Sequence, residues 1–135
     1  MKELVLFYSY AGHTRQNAAL FARESTLDTC EIVPQKSIGK VKAFTLGSVQ
    51  SIKGRGIPIV PPAVSFKDYD AFHIFAPVWA GSIAAPMNAA LALLPQGATL
   101  HLHLVSASGG SNQEKNEHRL VDAGFNVASY EDIRG

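Results

Sequence analysis

Three short stretches of this chain carry residue types and spacings that could hold a ligand. In the first, Ser9-Tyr10-Ala11-Gly12-His13-Thr14, hydroxyls and a glycine lie between an apolar run and a segment of helical periodicity. A helix starting there leaves its first backbone N–H groups without partners, and its dipole is positive at that end. With the Ser9 and Thr14 hydroxyls lining the same turn, the chemistry on offer is phosphate binding. A capped helix after a buried strand, with no ligand, satisfies the same residues. The second stretch, Pro77-Val78-Trp79-Ala80-Gly81, sets the only tryptophan of the chain between proline and glycine. Its flat apolar face suits a planar ring, or simply covers the end of a sheet. Gly81 admits backbone conformations closed to other residues. The third, Ser106-Ala107-Ser108-Gly109-Gly110, can bring backbone N–H groups to the polar edge of a ring, or can be an unliganded turn.

Other chemistry is thinner. The single glycine of the first stretch is not the dinucleotide GxGxxG, and no Gly-Lys-Ser/Thr of a Walker loop occurs. His101 and His103 alternate with Leu100, Leu102 and Leu104, so the imidazoles share one strand face. Such a pair can bind a metal, but no third ligand lies nearby in the sequence, and a polar or partner-facing strand side is the alternative. His73 reads as a hydrogen-bonded core residue. No Ser-His-Asp or Cys-His arrangement can be argued, so no catalytic side chain is expected.

The elements that must position these stretches alternate. Residues 4–8 (LVLFY) are apolar enough to be buried on both faces, as a central parallel strand must be. Thr14, Ala18, Phe21 and Ala22 then recur on one helical face. Residues 27–33 (LDTCEIV) form a second strand ended by Pro34, its charges suggesting an edge. Between 35 and 65 order is weakest. Residues 41–52 can form a helix, weakened by Gly47, Ser48 and Ser51, and Gly54, Gly56, Pro58, Pro61 and Pro62 then argue for a loop. Residues 71–76 are the third strand, 77–85 a loop, and Pro86 the natural first residue of a helix that Pro95 stops. Residues 99–105 are the fourth strand. Ser111-Asn112-Gln113-Glu114 fits a capping box, Gly124 a C-terminal cap, and 125–130 the fifth strand. This alternation predicts an α/β fold, a doubly wound five-stranded parallel sheet of order 2-1-3-4-5 with helices on both faces. All three ligand stretches then leave carboxyl ends of strands, where such sheets bind ligands.

Composition bounds the class. The 135 residues suit a single domain spanning 1–135, and 17% charged with 47% apolar residues is a globular balance. No apolar run is long enough for a membrane helix, and only three residues precede the first strand, which leaves no room for a signal peptide. A cytoplasmic protein without membrane or nucleic-acid partners is the expectation. The single cysteine, Cys30, reads as a small buried hydrophobe. Net charge is +1, yet from Ile32 to Lys67 there is no acid, while Lys36, Lys40, Lys42, Lys53, Arg55 and Lys67 fall inside. That span is either a solvated face or a patch that attracts an acidic partner or a phosphorylated substrate.

Over essentially its full length the chain resembles the flavodoxin superfamily. The first stretch is similar to the family's Ser/Thr-x-Thr-Gly-x-Thr phosphate loop, with Ala11 in place of one hydroxyl residue. The run YDAFHIFAPVWAGSIAAP is similar to its third strand and flavin-contacting loop, with Ala76 where glycine is usual. The resemblance implies bound FMN, its phosphate held by Ser9, Gly12, His13 and Thr14 in the loop that also contains Tyr10 and Ala11. It implies that Pro77, Val78, Trp79, Ala80 and Gly81 meet the isoalloxazine ring, and that Ser106, Ala107, Ser108, Gly109 and Gly110 close the other side. Three functions follow. One is an electron carrier between redox partner proteins, for which the charge is unusual because such carriers are typically acidic. Another is an NAD(P)H-dependent flavin or quinone reductase. The last is a binding or regulatory module that keeps the fold and has lost the flavin, an option that Ala11 keeps open.

Overall fold

The computed structural model describes residues 2–39 and 43–135, with the backbone alone at Ala43 and Phe44. Its organising element is a sheet whose parallel strands are β1 (Glu3–Phe7), β2 (Asp28–Glu31), β3 (Ala71–Trp79), β5 (Thr99–Ser106) and β6 (Asn126–Arg134). They lie side by side in the order β2-β1-β3-β5-β6, which is the expected arrangement, with β2 on the edge. An additional two-residue strand, β4 (Ser82–Ile83), pairs antiparallel with the end of β3. Residues 77–85 are therefore a hairpin and not the expected loop. The reason is the turn: Ala80 (φ 52°) and Gly81 (φ 78°) both adopt positive φ, the twist that joins antiparallel strands through two residues.

Leu4, Leu6, Phe72, Ile74, Leu100, Leu102 and Leu104 are fully buried on one sheet face. That face is covered by α3 (Ala85–Leu91), through Met87 and Ala90, and by α4 (Gln113–Asp122), through Leu120. The other face carries Val5, Phe7 and Phe75 under α1 (His13–Ser25), which buries Ala18 and Ala22 against them. Cys30 is buried in β2, as a small hydrophobe should be.

Helical structure does form between the second and third strands. A π-helical turn at Ala43–Gly47 leads into α2 (Ser48–Ile52); Val41 and Lys42 lie outside the described residues. Ser51 fits there because its hydroxyl donates to the Gly47 carbonyl at 2.7 Å, four residues back. Arg119 of α4 donates to the Ser51 and Ile52 carbonyls at the end of α2, where a cation complements the helix dipole. The segment after it is pinned by a bridge between Pro34 and Ile59. The capping box is also corrected. Asn112, not Ser111, caps α4 by accepting from the Lys115 N–H, because the Ser111 hydroxyl is engaged with Tyr130 and Asp132. Gly124 takes the left-handed conformation (φ 95°) expected of it. β6 runs on to Arg134, four residues beyond the expected end, in register with β5 up to Ser106.

Candidate functional site

At the carboxyl ends of β1, β3 and β5 lies a cleft of about 190 Å³. Its walls come from all three stretches: Tyr10, Ala11, His13 and Thr14; Pro77, Val78 and Trp79; Ser106 and Ala107, with Val105 and Gly135 beside them. Among the described residues no Asp or Glu lines it, so its lining does not oppose an anion.

The anion end is the start of α1. Gly12 is its N-cap, at φ 98°, and the Gly12 N–H donates to the Ser9 hydroxyl at 3.0 Å. Ser9 therefore braces the turn from within. The first intrahelical bond runs from the Gln16 N–H to the Gly12 carbonyl. The amides of His13, Thr14 and Arg15 precede it and have no acceptor inside the helix, and no side chain among the described residues caps them. Nothing acidic occupies the first turn. Thr14 is buried and lines the cleft, while His13 is exposed at the rim. Arg15 pairs with Glu31, which ties α1 to the edge strand.

The apolar wall is the β3–β4 hairpin. Trp79 stands edge-on to both Tyr8 and Tyr10, with ring centroids 5.9 Å apart and planes at 87° in each pair. Tyr8, which sequence reasoning left in the strand, does not line the cleft but packs against its Trp79 wall. Its phenol is buried, and burial raises its pKa well above the usual phenol range. The turn itself is held by α4. The Gly81 carbonyl accepts from the Asn112 N–H at 2.8 Å and from the Asn116 side chain at 3.2 Å. Asn116 is 2% exposed and gives its other amide hydrogen to the Tyr130 hydroxyl at 3.0 Å. Nothing about a single asparagine in a polar helix marks it as a positioning residue. The Ala80 carbonyl, by contrast, accepts no hydrogen bond among the described residues.

The third stretch is organised by Ser106. Its hydroxyl accepts from the N–H groups of Gly109 (3.0 Å) and Gly110 (3.2 Å). Those two amides, expected to face a ring edge, are thus engaged within the loop. Ser108, Gly109 and Gly110 do not line the cleft; Ser106 and Ala107 do. Gly135, which sequence reasoning missed, reaches the cleft because β6 is longer than expected and the Gly135 N–H donates to the Ser106 carbonyl at 3.0 Å.

The architecture has close counterparts among solved structures. A flavoprotein of Lactobacillus acidophilus, crystallised in complex with FMN, superposes with a TM-score of 0.75 and 22% identity over 96% of this chain and 91% of that one. Proteins assigned as flavoproteins in Bacteroides eggerthii and Bacteroides uniformis give TM-scores of 0.81 and 0.80 at 19% and 22% identity. Each of those matches covers 96% of this chain, with 86% and 87% of the respective partner. No protein-family model and no curated protein matches the sequence. At these identities the likeness establishes the fold: a doubly wound, flavodoxin-like α/β sheet.

Proposed function

We propose that the cleft binds FMN and that the protein carries electrons between redox partners. One observation carries the reading: unpaired amides at the start of α1 and the Trp79 hairpin meet on a single acid-free cleft. The flavoprotein of L. acidophilus, crystallised with FMN, has the same fold. The donor set fits the group. A phosphate matches the His13, Thr14 and Arg15 amides and the Thr14 hydroxyl, and a planar ring matches Trp79 with Tyr10. The absent hydroxyl at Ala11 is compensated by backbone donors, because Ser9 holds the turn that aims them.

Bound FMN would supply the electron chemistry, and the protein binding, orientation and electrostatics. Thr14 and the helix amides fix the phosphate end. Trp79 shields one side of the ring site from water. The turn supplies an acceptor: with the Gly81 carbonyl held by Asn112 and Asn116, the free Ala80 carbonyl is the group this turn offers to a ring N–H. Ala80 pays for that orientation with a left-handed backbone, which costs an L-residue about 1–2 kcal/mol.

A second reading, an NAD(P)H-dependent reductase, draws on the basic stretch. Lys36, Lys53, Arg55 and Lys67 are all exposed, and none forms an ion pair among the described residues. Titration of the protein with FMN and with riboflavin, followed by visible absorbance, tests the cofactor. Equal affinity for the two would refute the phosphate assignment, and no binding of either would leave the fold without its flavin. Anaerobic stopped-flow mixing of the FMN-loaded protein with NADPH then separates the roles: a carrier is not reduced at a catalytic rate, and a reductase is.

A further inference from the structure

On the α1 face of the sheet, away from the cleft, histidines from neighbouring strands meet carboxylates from the outer ones. His73 of β3 and His101 of β5 are direct cross-strand partners. Their rings stack with centroids 4.5 Å apart and planes 12° from parallel. Glu3 of β1 reaches the same point, its Oε1 3.0 Å from His73 Nε2. One ligand atom from each of Glu3, His73 and His101 falls within 4.8 Å of the others. Sequence inspection finds no third ligand because Glu3 lies at the far end of the chain from the histidine pair.

We propose that Glu3, His73 and His101 form a binding site for a divalent transition-metal ion, independent of the flavin cleft.

The hydrogen bonds around these side chains leave a place for a cation there. His73 Nδ1 meets His103 Nε2 at 3.1 Å, and His103 Nδ1 meets the Glu131 carboxylate. The chain Glu3–His73–His103–Glu131 thus has three contacts, each needing one hydrogen. Two neutral imidazoles carry only one N–H apiece, and ionised carboxylates carry none. With the His103 hydrogen on Nδ1 toward Glu131, His103 Nε2 accepts from His73 Nδ1 and His73 Nε2 faces Glu3 lone pair to lone pair; the mirror arrangement moves the gap to the His103–Glu131 contact. In the first arrangement the space between His73 Nε2 and Glu3 is a place for a positive charge. A metal ion fills it without protonating either ring.

The outer contacts are those of a prepared ligand set. Metal-binding imidazoles characteristically donate their second N–H to a fixed acceptor, which orients the ring and sets its tautomer. His73 has His103 backed by Glu131, and His101 Nδ1 has the Ser129 hydroxyl at 2.8 Å. Phe21 of α1 packs over His73 at 4.6 Å between centroids and limits water on that side. Metal–ligand bonds of about 2.0–2.2 Å put neighbouring ligand atoms roughly 3.3 Å apart in a tetrahedron. Glu3 and His101 are half-buried, so both side chains have room to turn toward that spacing. Imidazole with carboxylate and no thiolate selects zinc-like ions over calcium or magnesium, with a fourth position left for water.

Metal-stripped protein titrated with ZnCl2 in a calorimeter should bind one Zn²⁺ per chain with micromolar or tighter affinity. His101→Ala, at a half-exposed position, should weaken that binding at least tenfold, and Glu3→Gln should do the same. Ser129→Ala, which keeps every ligand but frees the His101 ring, should weaken it several-fold. His118→Ala, which removes an exposed imidazole beside Asp122 on α4, should leave it unchanged. FMN affinity, measured in parallel, should be the same in all four variants. Absence of stoichiometric zinc binding by the wild-type chain overturns the proposal, as does equal affinity in His101→Ala. Should His101→Ala fail to fold, Ser129→Ala and Glu3→Gln decide by the same criterion.

Discussion

Replacing Asn116 with alanine tests how the Trp79 hairpin is held. The side chain is 2% exposed, and its two amide hydrogens go to the Gly81 carbonyl and the Tyr130 hydroxyl. Neither acceptor is orphaned by the change: Gly81 keeps the Asn112 N–H at 2.8 Å, and Tyr130 keeps Ser111. The penalty for a stranded buried group therefore does not apply. Two net hydrogen bonds at about 1 kcal/mol each give roughly 2 kcal/mol. For a domain of this length that is a fall in Tm of about 6–10 °C. Asn116→Asp should cost more, because it turns a carboxylate oxygen toward the Gly81 carbonyl. The turn is also looser in the free alanine variant, so FMN affinity should fall several-fold while riboflavin and FMN stay equally spaced. Thermal melts of the flavin-free protein, with flavin titrations alongside, provide the check. If Asn116→Ala melts within a degree of wild type, the network does not hold the turn. An aspartate variant as stable as wild type would sink the argument outright.

Thr14→Ala should weaken FMN roughly ten- to a hundredfold, the loss of one charge-assisted hydrogen bond of about 1.5–3 kcal/mol, and leave riboflavin almost unaffected; titration of both flavins checks it. FMN should quench the fluorescence of Trp79, and Trp79→Ala should weaken binding by about 1–3 kcal/mol, a range taken from aromatic–base stacking; unchanged emission at saturation would place the indole away from the ring. Metal-free protein should lose stability in mild acid. The lowered folded-state pKa of His73 and His103 means that the unfolded chain binds more protons below the ordinary imidazole value near 6.5. Their contribution is thus complete above about pH 6.5 and declines as pH falls through and below it, so the urea midpoint should drop between pH 7.5 and 5.5 (about two units); a flat or rising midpoint contradicts this. Lys53→Glu with Arg55→Glu, both exposed, should leave Tm and FMN affinity nearly unchanged. The pair should slow electron exchange with the partner, or raise KM for NADPH, by an amount that shrinks with salt.

How much of this was legible in the sequence depends on the range of the interactions involved. The five parallel strands and their order could be read because each strand's own side chains declare its burial: Leu4 to Phe7 are apolar without interruption, while Asp28 and Glu31 mark the edge. The cleft-forming stretches could be read because Gly12, Pro77 and Trp79 state local backbone or surface requirements. What escaped depends on distant partners. Ser82–Ile83 becomes a strand only because Ala80 accepts a positive φ that alanine normally avoids. Ser111 loses the helix cap to Asn112 because Tyr130 and Asp132 claim its hydroxyl. Ser106 rather than the ring takes the Gly109 and Gly110 amides. Asn116 and the Glu3–His73–His103–Glu131 chain have no signature short of the folded sheet.

The parallel pairing of the sheet has a consequence for when the cleft comes into being. Leu4 pairs with Phe72, and Phe72 with Leu100, so every strand that delivers a wall of the cleft meets its neighbour across a long loop of chain. Closing such loops is slow, and no fragment containing two of the three walls is a local unit. A flavin would therefore recognise the finished sheet and little that precedes it. Its free energy of binding would appear undiminished in global stability, by mass action on the native state alone. During refolding, flavin capture should be among the last signals to recover, and excess flavin should slow unfolding without hastening the return.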